Sequence, residues 1–312
     1  MEFRTIVDIT TPPFRIEPED DLLFLGSCFA DSIGRRFRAN RLRAVVNPRG
    51  TMYNPASILH TLQLMPDLRP RVAFLTLGTN HVYRLRETGE IVDNCEKRPA
   101  RLFQEEQLSV DECTDYLRQC VALLRQRRSD VQVVLTVSPI RYRKYGYHES
   151  QLSKATLLLA VRDLVDSLQC IVNSYDYTDG RNAIEESSEK GNHNYQLSTI
   201  NYQLSTINYK LSTINYFPAY ELVLDELRDY RFYQPDMLHP SEQAVDFIYE
   251  RLAEHYFSER LNDYLREWLP IRATLEHRPF NPDSTAYKEL MAKTQAKLDA
   301  LRAKYPALDL NI

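Results

Sequence analysis

The chain has 312 residues, of which 43% are hydrophobic and 26% are charged, with a formal net charge of −4 at pH 7. This composition is ordinary for a globular protein, and its weak acidity gives no reason to expect nucleic acid or an anionic membrane as a partner. The five cysteines fit neither a disulfide framework nor zinc-ligand spacing, so we expect no metal and no cofactor. Since no segment resembles a signal peptide or a transmembrane span, we expect a cytoplasmic protein.

Short apolar runs alternate with segments of helical period along most of the chain. Strands are predicted at residues 22–25, 42–46, 72–77, 131–137 and 170–175. Helices are predicted at residues 29–39, 55–64, 110–127, 151–168 and 241–256. This alternation is typical of an α/β domain in which crossover helices join the strands of a parallel sheet.

A repeated seven-residue sequence interrupts the alternation. Asn194–Ile200 recurs as Asn201–Ile207 and, with lysine in place of glutamine, as Asn208–Ile214. Asn, Ser, Thr and Tyr are poor helix formers, so three such units would make a marginal helix. We interpret residues 183–215 as an inserted surface loop whose deletion would leave activity intact.

The end of the chain has a different composition. Charged helix formers dominate from Tyr287 to Lys304. We therefore predict that residues 1–257 form the α/β domain and that residues 258–312 form a helical C-terminal extension. The extension either packs on the core of the domain or forms the contact of a homodimer.

The first predicted strand passes into the first predicted helix through Gly26, Ser27 and Cys28. A strand-to-helix elbow of this kind raises a small side chain above the carboxyl edge of a sheet, where helix N–H groups can stabilise an anion. Ser27 and Cys28 are both candidate nucleophiles. An ordinary β–α turn built from small residues is the alternative interpretation.

An acid and a histidine, Asp236 and His239, lie three residues apart just before the last helix of the domain. At this spacing the carboxylate can accept a hydrogen bond from Nδ1 of the imidazole and leave Nε2 facing a nucleophile. A helix-capping aspartate next to a surface histidine is the competing interpretation.

Several motifs together resemble the GSCFA family, which is similar to the SGNH (GDSL-like) hydrolases. The resemblance covers roughly residues 20–256 and is carried by Gly26–Ala30 and by residues 47–55, 77–79, 94–95, 216–221 and 225–241. It implies a flavodoxin-like three-layer α/β/α sandwich and acyl-ester chemistry.

The hydrolase pattern Gly-Asp-Ser-Leu has its nucleophilic serine two places after the glycine. In the same register, Ser27 takes the place of the aspartate and Cys28 that of the nucleophile. The resemblance thus favours Cys28, with Ser27 as the alternative if the elbow is shifted by one residue. We expect a helix N-terminus and a nearby histidine to lower the pKa of the Cys28 thiol, although a buried structural cysteine remains a competing interpretation.

The resemblance also implies donors for an oxyanion. Gly50 resembles the hydrolases' backbone N–H donor, and Asn80 occupies the position of their side-chain amide. Asn94 is a rival to Asn80, and each asparagine could instead be a turn former.

Taken together, these residues predict an esterase-type hydrolase acting on a small acyl ester, such as an acetyl ester of a small molecule or carbohydrate. A sugar hydroxyl in place of water would make the same site an O-acyltransferase. The alternative to an enzyme is a catalytically silent module that binds a carbohydrate or nucleotide sugar.

Overall fold

The computed structural model describes residues 4–93, 98–179 and 214–311. The strands in this part of the chain are β1 (Leu22–Gly26), β2 (Ala44–Val46), β3 (Val72–Leu77), β4 (His81–Leu85), β5 (Ile91–Val92), β6 (Phe103–Gln107), β7 (Gln132–Val137) and β8 (Ile214–Tyr216). The helices are α1 (Cys28–Ala39), α2 (Pro55–Gln63), α3 (Val110–Arg127), α4 (Tyr147–Asp179), α5 (Ala219–Glu221), α6 (Glu242–Tyr256), α7 (Glu259–Glu276) and α8 (Thr285–Lys304).

Five parallel strands form the central sheet, in the order β2-β1-β3-β7-β8. Renumbered within this sheet, the order is 2-1-3-4-5, which is the flavodoxin-like arrangement. In such a sheet the strand order reverses between the first and third strands, and ligands bind outside the carboxyl ends of the strands there. The predicted fold class is confirmed.

Helices cover both faces of the central sheet, so its inner strands β1, β3 and β7 are buried throughout. Leu22 and Phe24 of β1 face a cluster that includes Phe37 of α1 and Ile248 of α6. The alternate residue Leu23 faces a second cluster, built with α2, α3 and α4. Successive strand side chains point to opposite faces, so this one strand contributes to two cores. Those two cores and the sheet between them make the three-layer sandwich.

The predicted strand at 170–175 is wrong. These residues belong to α4, which runs from Tyr147 to Asp179, and β8 takes the fifth place in the sheet. No glycine or proline stands between residues 147 and 179 to end the helix. A short apolar run alone does not distinguish a strand from the continuation of a helix.

The end of the predicted inserted loop is also wrong. Residues 180–213 lie outside the described residues, but Ile214 and Asn215 are in β8. Ile214 is buried and pairs with Val133 of β7. The third copy of the repeat therefore supplies the first residue of a core strand.

A small antiparallel sheet, in the order β5-β4-β6, lies between β3 and α3 in the chain. Its short strands carry charged and half-exposed residues, so they give no apolar signal, and sequence analysis did not find them. β4 begins four residues after β3 ends. The small sheet thus continues directly from the carboxyl edge of the central sheet.

The C-terminal helices pack on the core of the α/β domain. Trp268 of α7 and Leu298 of α8 are buried in the same cluster as Phe37. The hydroxyl of Tyr264 donates a hydrogen bond of 2.9 Å to the carbonyl of Asn40. Residues from both predicted domains thus share one hydrophobic cluster, and the boundary at residue 257 remains a prediction. None of the described helices has the length and apolarity needed to cross a membrane.

Candidate active site

The elbow after β1 depends on a glycine. Gly26 has φ +134°, and a Cβ at this position would lie 2.0 Å from the backbone oxygen of Thr76 on β3. The N–H of Ser27 donates to the same oxygen at 3.2 Å. Only glycine tolerates both the dihedral and the close approach, so Gly26 sets the direction in which α1 leaves the sheet.

The buried side chain of Asn47 fixes the elbow from the other side. Its Oδ1 accepts the N–H of Gly26 at 2.9 Å, and its Nδ2 donates to the carbonyl of Gly26 at 3.0 Å. The same Nδ2 donates to Asp31 at 2.9 Å. Sequence analysis placed Asn47 in a family motif but assigned no role to it.

The two candidate nucleophiles differ in their surroundings. Ser27 is fully buried and is the N-cap of α1, where its Oγ accepts the N–H of Phe29 at 3.3 Å. Cys28 is half-buried, and its Sγ lies 3.4 Å from Nε2 of His239. The structure therefore brings Cys28, and not Ser27, to the histidine.

The acid and the histidine occupy the tight loop before α6. Nδ1 of His239 donates to Oδ2 of Asp236 at 2.6 Å, which leaves Nε2 as the acceptor facing Cys28. The other carboxylate oxygen accepts the N–H groups of Leu238 and His239 at 2.8 and 3.0 Å. These backbone hydrogen bonds lower the pKa of Asp236 to about 2, so the carboxylate remains charged above that pH.

The expectation that the pKa of Cys28 is lowered is wrong, because its pKa is raised. Burial raises the pKa of Cys28, and the charge of Asp31 raises it further, while the opposing effect of Lys154 is smaller. Desolvation disfavours the thiolate more than the helix N-terminus and the nearby lysine favour it. Cys28 thus rests as a thiol next to a base.

The predicted oxyanion donors Gly50 and Asn80 both donate hydrogen bonds to backbone carbonyls of nearby loops. The N–H of Gly50 already donates to the carbonyl of Asn47 at 2.9 Å, in the turn after β2. Asn80 is buried, and its Nδ2 donates to the carbonyl of Leu108 at 2.7 Å. Both groups stabilise loops, as turn-forming residues commonly do. Asn94 lies outside the described residues.

A cleft of about 440 Å³ opens at Cys28. Its lining residues belong to the carboxyl-end loops and are Cys28, Tyr53, Ile140, Arg141, Tyr142, Arg143, Lys144, Leu238 and His239. The loop after β7 supplies most of this lining. In this loop, the N–H of Arg141 donates a hydrogen bond to the carbonyl of Leu238 at 3.2 Å. Sequence analysis missed this loop. The sequence feature that could have revealed the loop is a run of basic and aromatic residues shortly after the most apolar strand.

A buried lysine lies behind the cleft. Lys154 of α4 is 2% exposed, and its Nζ donates to the carbonyl of Gly78 at 2.6 Å. The same nitrogen lies 5.0 Å from the centre of the Tyr142 ring. Burial lowers the pKa of Lys154 to about 7. The burial of Lys154 was not predictable from the sequence, because a lone lysine in a helix is normally exposed.

Metal ligands do not gather in the part of the chain that the structure describes. No group of three or more His, Cys, Asp or Glu side chains there could hold an ion. The expectation of no metal and no cofactor remains a prediction.

Comparison with known proteins agrees with the motifs. The model of the GSCFA family matches residues 21–69, 68–177 and 192–252, and the model described as "GSCFA domain protein, C-terminal domain" matches residues 268–311. No curated protein shows significant sequence similarity to the chain.

Solved structures show a distant likeness. An acetyl esterase variant with a bound acetate ion is 10% identical at a TM-score of 0.40, covering 79% of this chain and 98% of its own. A carbohydrate esterase of family 3 from Talaromyces cellulolyticus is 9% identical at a TM-score of 0.37, with the same two coverages of 79% and 98%.

Proposed function

The chain belongs to the GSCFA family, and we propose that its cleft catalyses acyl transfer from a small acyl ester, with Cys28 as the nucleophile. The observation that carries this proposal is the distance of 3.4 Å between Sγ of Cys28 and Nε2 of His239. The hydrogen bond from Nδ1 to Asp236 supports it, since it orients the base.

The reaction begins with proton transfer from Cys28 to His239. As Nε2 of His239 takes the thiol proton, Sγ attacks the ester carbonyl carbon and the carbonyl π electrons move to its oxygen. The resulting tetrahedral intermediate collapses, the C–O bond to the alcohol breaks, and the imidazolium returns the proton to the leaving alkoxide. Asp236 stabilises the imidazolium between these two proton transfers.

Water completes the cycle in the esterase reaction. His239 removes a proton from a water molecule as its oxygen attacks the thioester on Cys28. Collapse releases the carboxylic acid and returns the proton to the thiolate. A sugar hydroxyl entering at this step would give the O-acyltransferase reaction through the same acyl-enzyme.

Hydrolysis of p-nitrophenyl acetate tests the proposal. We expect the wild-type protein to release p-nitrophenolate with turnover. Cys28→Ala and His239→Gln should each reduce kcat by about a thousandfold or more, because the nucleophile and its base act as a unit. Cys113→Ala is the matched control, since this cysteine is buried in the other core and should leave turnover unchanged.

Ser27→Ala distinguishes the two neighbours. Loss of the N-cap should lower the free energy of unfolding by about 1 kcal/mol while turnover is retained. Full activity of Cys28→Ala together with an inactive, folded Ser27→Ala protein would make Ser27 the nucleophile. A wild-type protein without turnover and without an acyl-enzyme would instead indicate a silent binding cleft.

A further inference from the structure

Lys154 is a buried lysine, and no carboxylate pairs with its amine in the described part of the chain. Its Nζ has a single hydrogen bond, to the carbonyl of Gly78 at 2.6 Å, and forms no ion pair with any carboxylate of residues 4–93, 98–179 and 214–311. An unpaired buried charge is unfavourable unless an anion forms beside it. Lys154 interacts electrostatically with Cys28, and in acyl transfer an anion develops next to Cys28.

The hydroxyl of Tyr142 is a buried donor without an acceptor. In the described part of the chain, no hydrogen-bond partner lies within reach of this oxygen. Burial raises the pKa of Tyr142, and the charge of an ionised Cys28 raises it further, so the hydroxyl keeps its proton and remains a donor. A buried hydroxyl of this kind gains stability when an acceptor arrives.

Gly78 makes room for this hydroxyl at the end of β3. A Cβ on Gly78 would lie 2.3 Å from the Tyr142 oxygen, so only glycine allows the ring to reach this position. The N–H groups of Gly78 and Thr79 both donate to the carbonyl of Tyr53 at 2.8 Å, so they are not free to donate to a substrate in the cleft. The loop after β7 thus brings the hydroxyl of Tyr142 to the carboxyl end of β3.

We infer that Tyr142 is a catalytic residue whose hydroxyl donates a hydrogen bond to the oxyanion formed when Cys28 attacks the ester. This inference rests on the proposed acyl transfer. The hydroxyl is unpaired in the free enzyme. Its hydrogen bond to the substrate oxygen strengthens as that oxygen becomes negative, so it stabilises the transition state more than the substrate. In its protonated form Lys154 adds positive charge to the same place, since its Nζ lies 5.0 Å from the centre of the Tyr142 ring.

Tyr142 thus takes the role that the sequence assigned to Asn80 and Gly50. The carbonyl carbon accepts the electron pair of Sγ while its π electrons move to oxygen, and the hydroxyl hydrogen-bonds this oxygen without giving up its proton. When the intermediate collapses, the π bond re-forms and the hydrogen bond weakens.

Two reactions of Cys28 test the inference together. One is single-turnover acetylation by p-nitrophenyl acetate, and the other is alkylation by iodoacetamide, a displacement at an sp³ carbon that forms no oxyanion. In Tyr142→Phe we expect the acetylation rate to fall about 100-fold, the usual effect of losing one oxyanion donor. The alkylation rate should remain within about twofold of wild type, because the attacking thiol is unchanged.

Tyr145→Phe is the matched control from the same loop. The Tyr145 hydroxyl already pairs with the hydroxyl of Tyr83 at 3.2 Å, so its loss should change neither rate. Acetylation of Tyr142→Phe at the wild-type rate would overturn the inference and leave the proposed function standing. An equal fall in both rates would show that Tyr142 only supports the site. A wild-type protein that is alkylated but never acetylated would overturn both.

Discussion

Ser27 and Cys28 are neighbours in sequence with different environments. An N-cap residue has an extended backbone and turns its oxygen back toward the first helical turn, as Ser27 does with the N–H of Phe29. The next residue begins the helix, so its side chain leaves the elbow in another direction. That change of direction takes Cys28 to His239 and keeps Ser27 in the interior.

The raised pKa of Cys28 has a measurable consequence. Because burial disfavours the thiolate, the rate of alkylation by iodoacetamide should be lower at pH 7 than for a free cysteine. It should then rise about tenfold per pH unit up to about pH 9, following the thiolate fraction. Mass spectrometry of the Cys28 peptide measures this rate directly.

Two buried cysteines provide an internal control. Cys113 and Cys120 are buried, and burial raises the pKa of Cys113 to about 12, so both should stay unlabelled in the folded protein. A Cys28 rate that levels off below about pH 8 would contradict the account, since it would indicate a resting thiolate–imidazolium pair.

The sequence singled out the cysteine and the histidine that the structure brings together, but it did not single out Tyr142, which we propose as the oxyanion donor. The spacing of Asp236 and His239 predicted their contact, whereas the choice of Cys28 over Ser27 came from the resemblance to the hydrolase pattern. Tyr142 and Lys154 come into contact because a loop packs against a helix, and the spacing of the two residues in the sequence does not reveal that contact. Asn80 matched a family position, yet its amide stabilises the carbonyl of Leu108.

Among the strands, those that are buried throughout were predicted best. β3 and α3 have the predicted bounds, and β7 begins one residue later than predicted. The predicted strand 42–46 is shorter in the structure, because the N–H of Leu42 bonds to the carbonyl of Phe37 in the turn that ends α1. The fifth strand was misplaced because a helix of 33 residues runs through its predicted position.

The repeat explains why the fifth strand was hard to find. The triplet Ile-Asn-Tyr occurs at 200–202, 207–209 and 214–216, and the third copy is β8. It pairs with β7 through Val133↔Ile214, Val134↔Asn215 and Leu135↔Tyr216. The segment 183–215 was expected to be dispensable, but its last two residues, Ile214 and Asn215, belong to the central sheet.

Two deletions test this assignment. Removing residues 194–207 eliminates two copies of the repeat and leaves β8 intact, so the free energy of unfolding should change by less than about 1 kcal/mol. Removing residues 183–215 also deletes Ile214 and its ladder, which should cost about 3 kcal/mol in lost burial and hydrogen bonding. Urea unfolding of the two proteins gives the comparison, and equal stabilities would contradict the role of Ile214.

At the scale of the whole molecule, the sheet order explains why the site lies where it does. Cys28 follows β1, Gly78 follows β3, and Tyr142 lies in the loop after β7. These strands are consecutive neighbours in the sheet, so the three residues meet at one carboxyl edge. That edge is the switch point at which doubly wound folds bind their ligands.

The C-terminal helices belong to the same molecular core. Trp268 and Tyr305 are buried with Phe37, and the Tyr305 ring packs edge-on against Tyr264 at 5.0 Å. The sequence did not show whether these helices pack on the domain, because an amphipathic pattern does not reveal what the apolar face packs against. The homodimer and the cytoplasmic location remain predictions.

Rapid-quench mass spectrometry of the protein mixed with p-nitrophenyl acetate shows which side chain attacks the ester. The account predicts one acetyl group on the peptide that contains Cys28, carried by the Cys28 sulfur, formed in step with the first equivalent of p-nitrophenolate and lost on reaction with hydroxylamine. His239→Gln should form it far more slowly. An acetyl group on Ser27, or p-nitrophenolate release with no acetyl group on Cys28, would contradict the account.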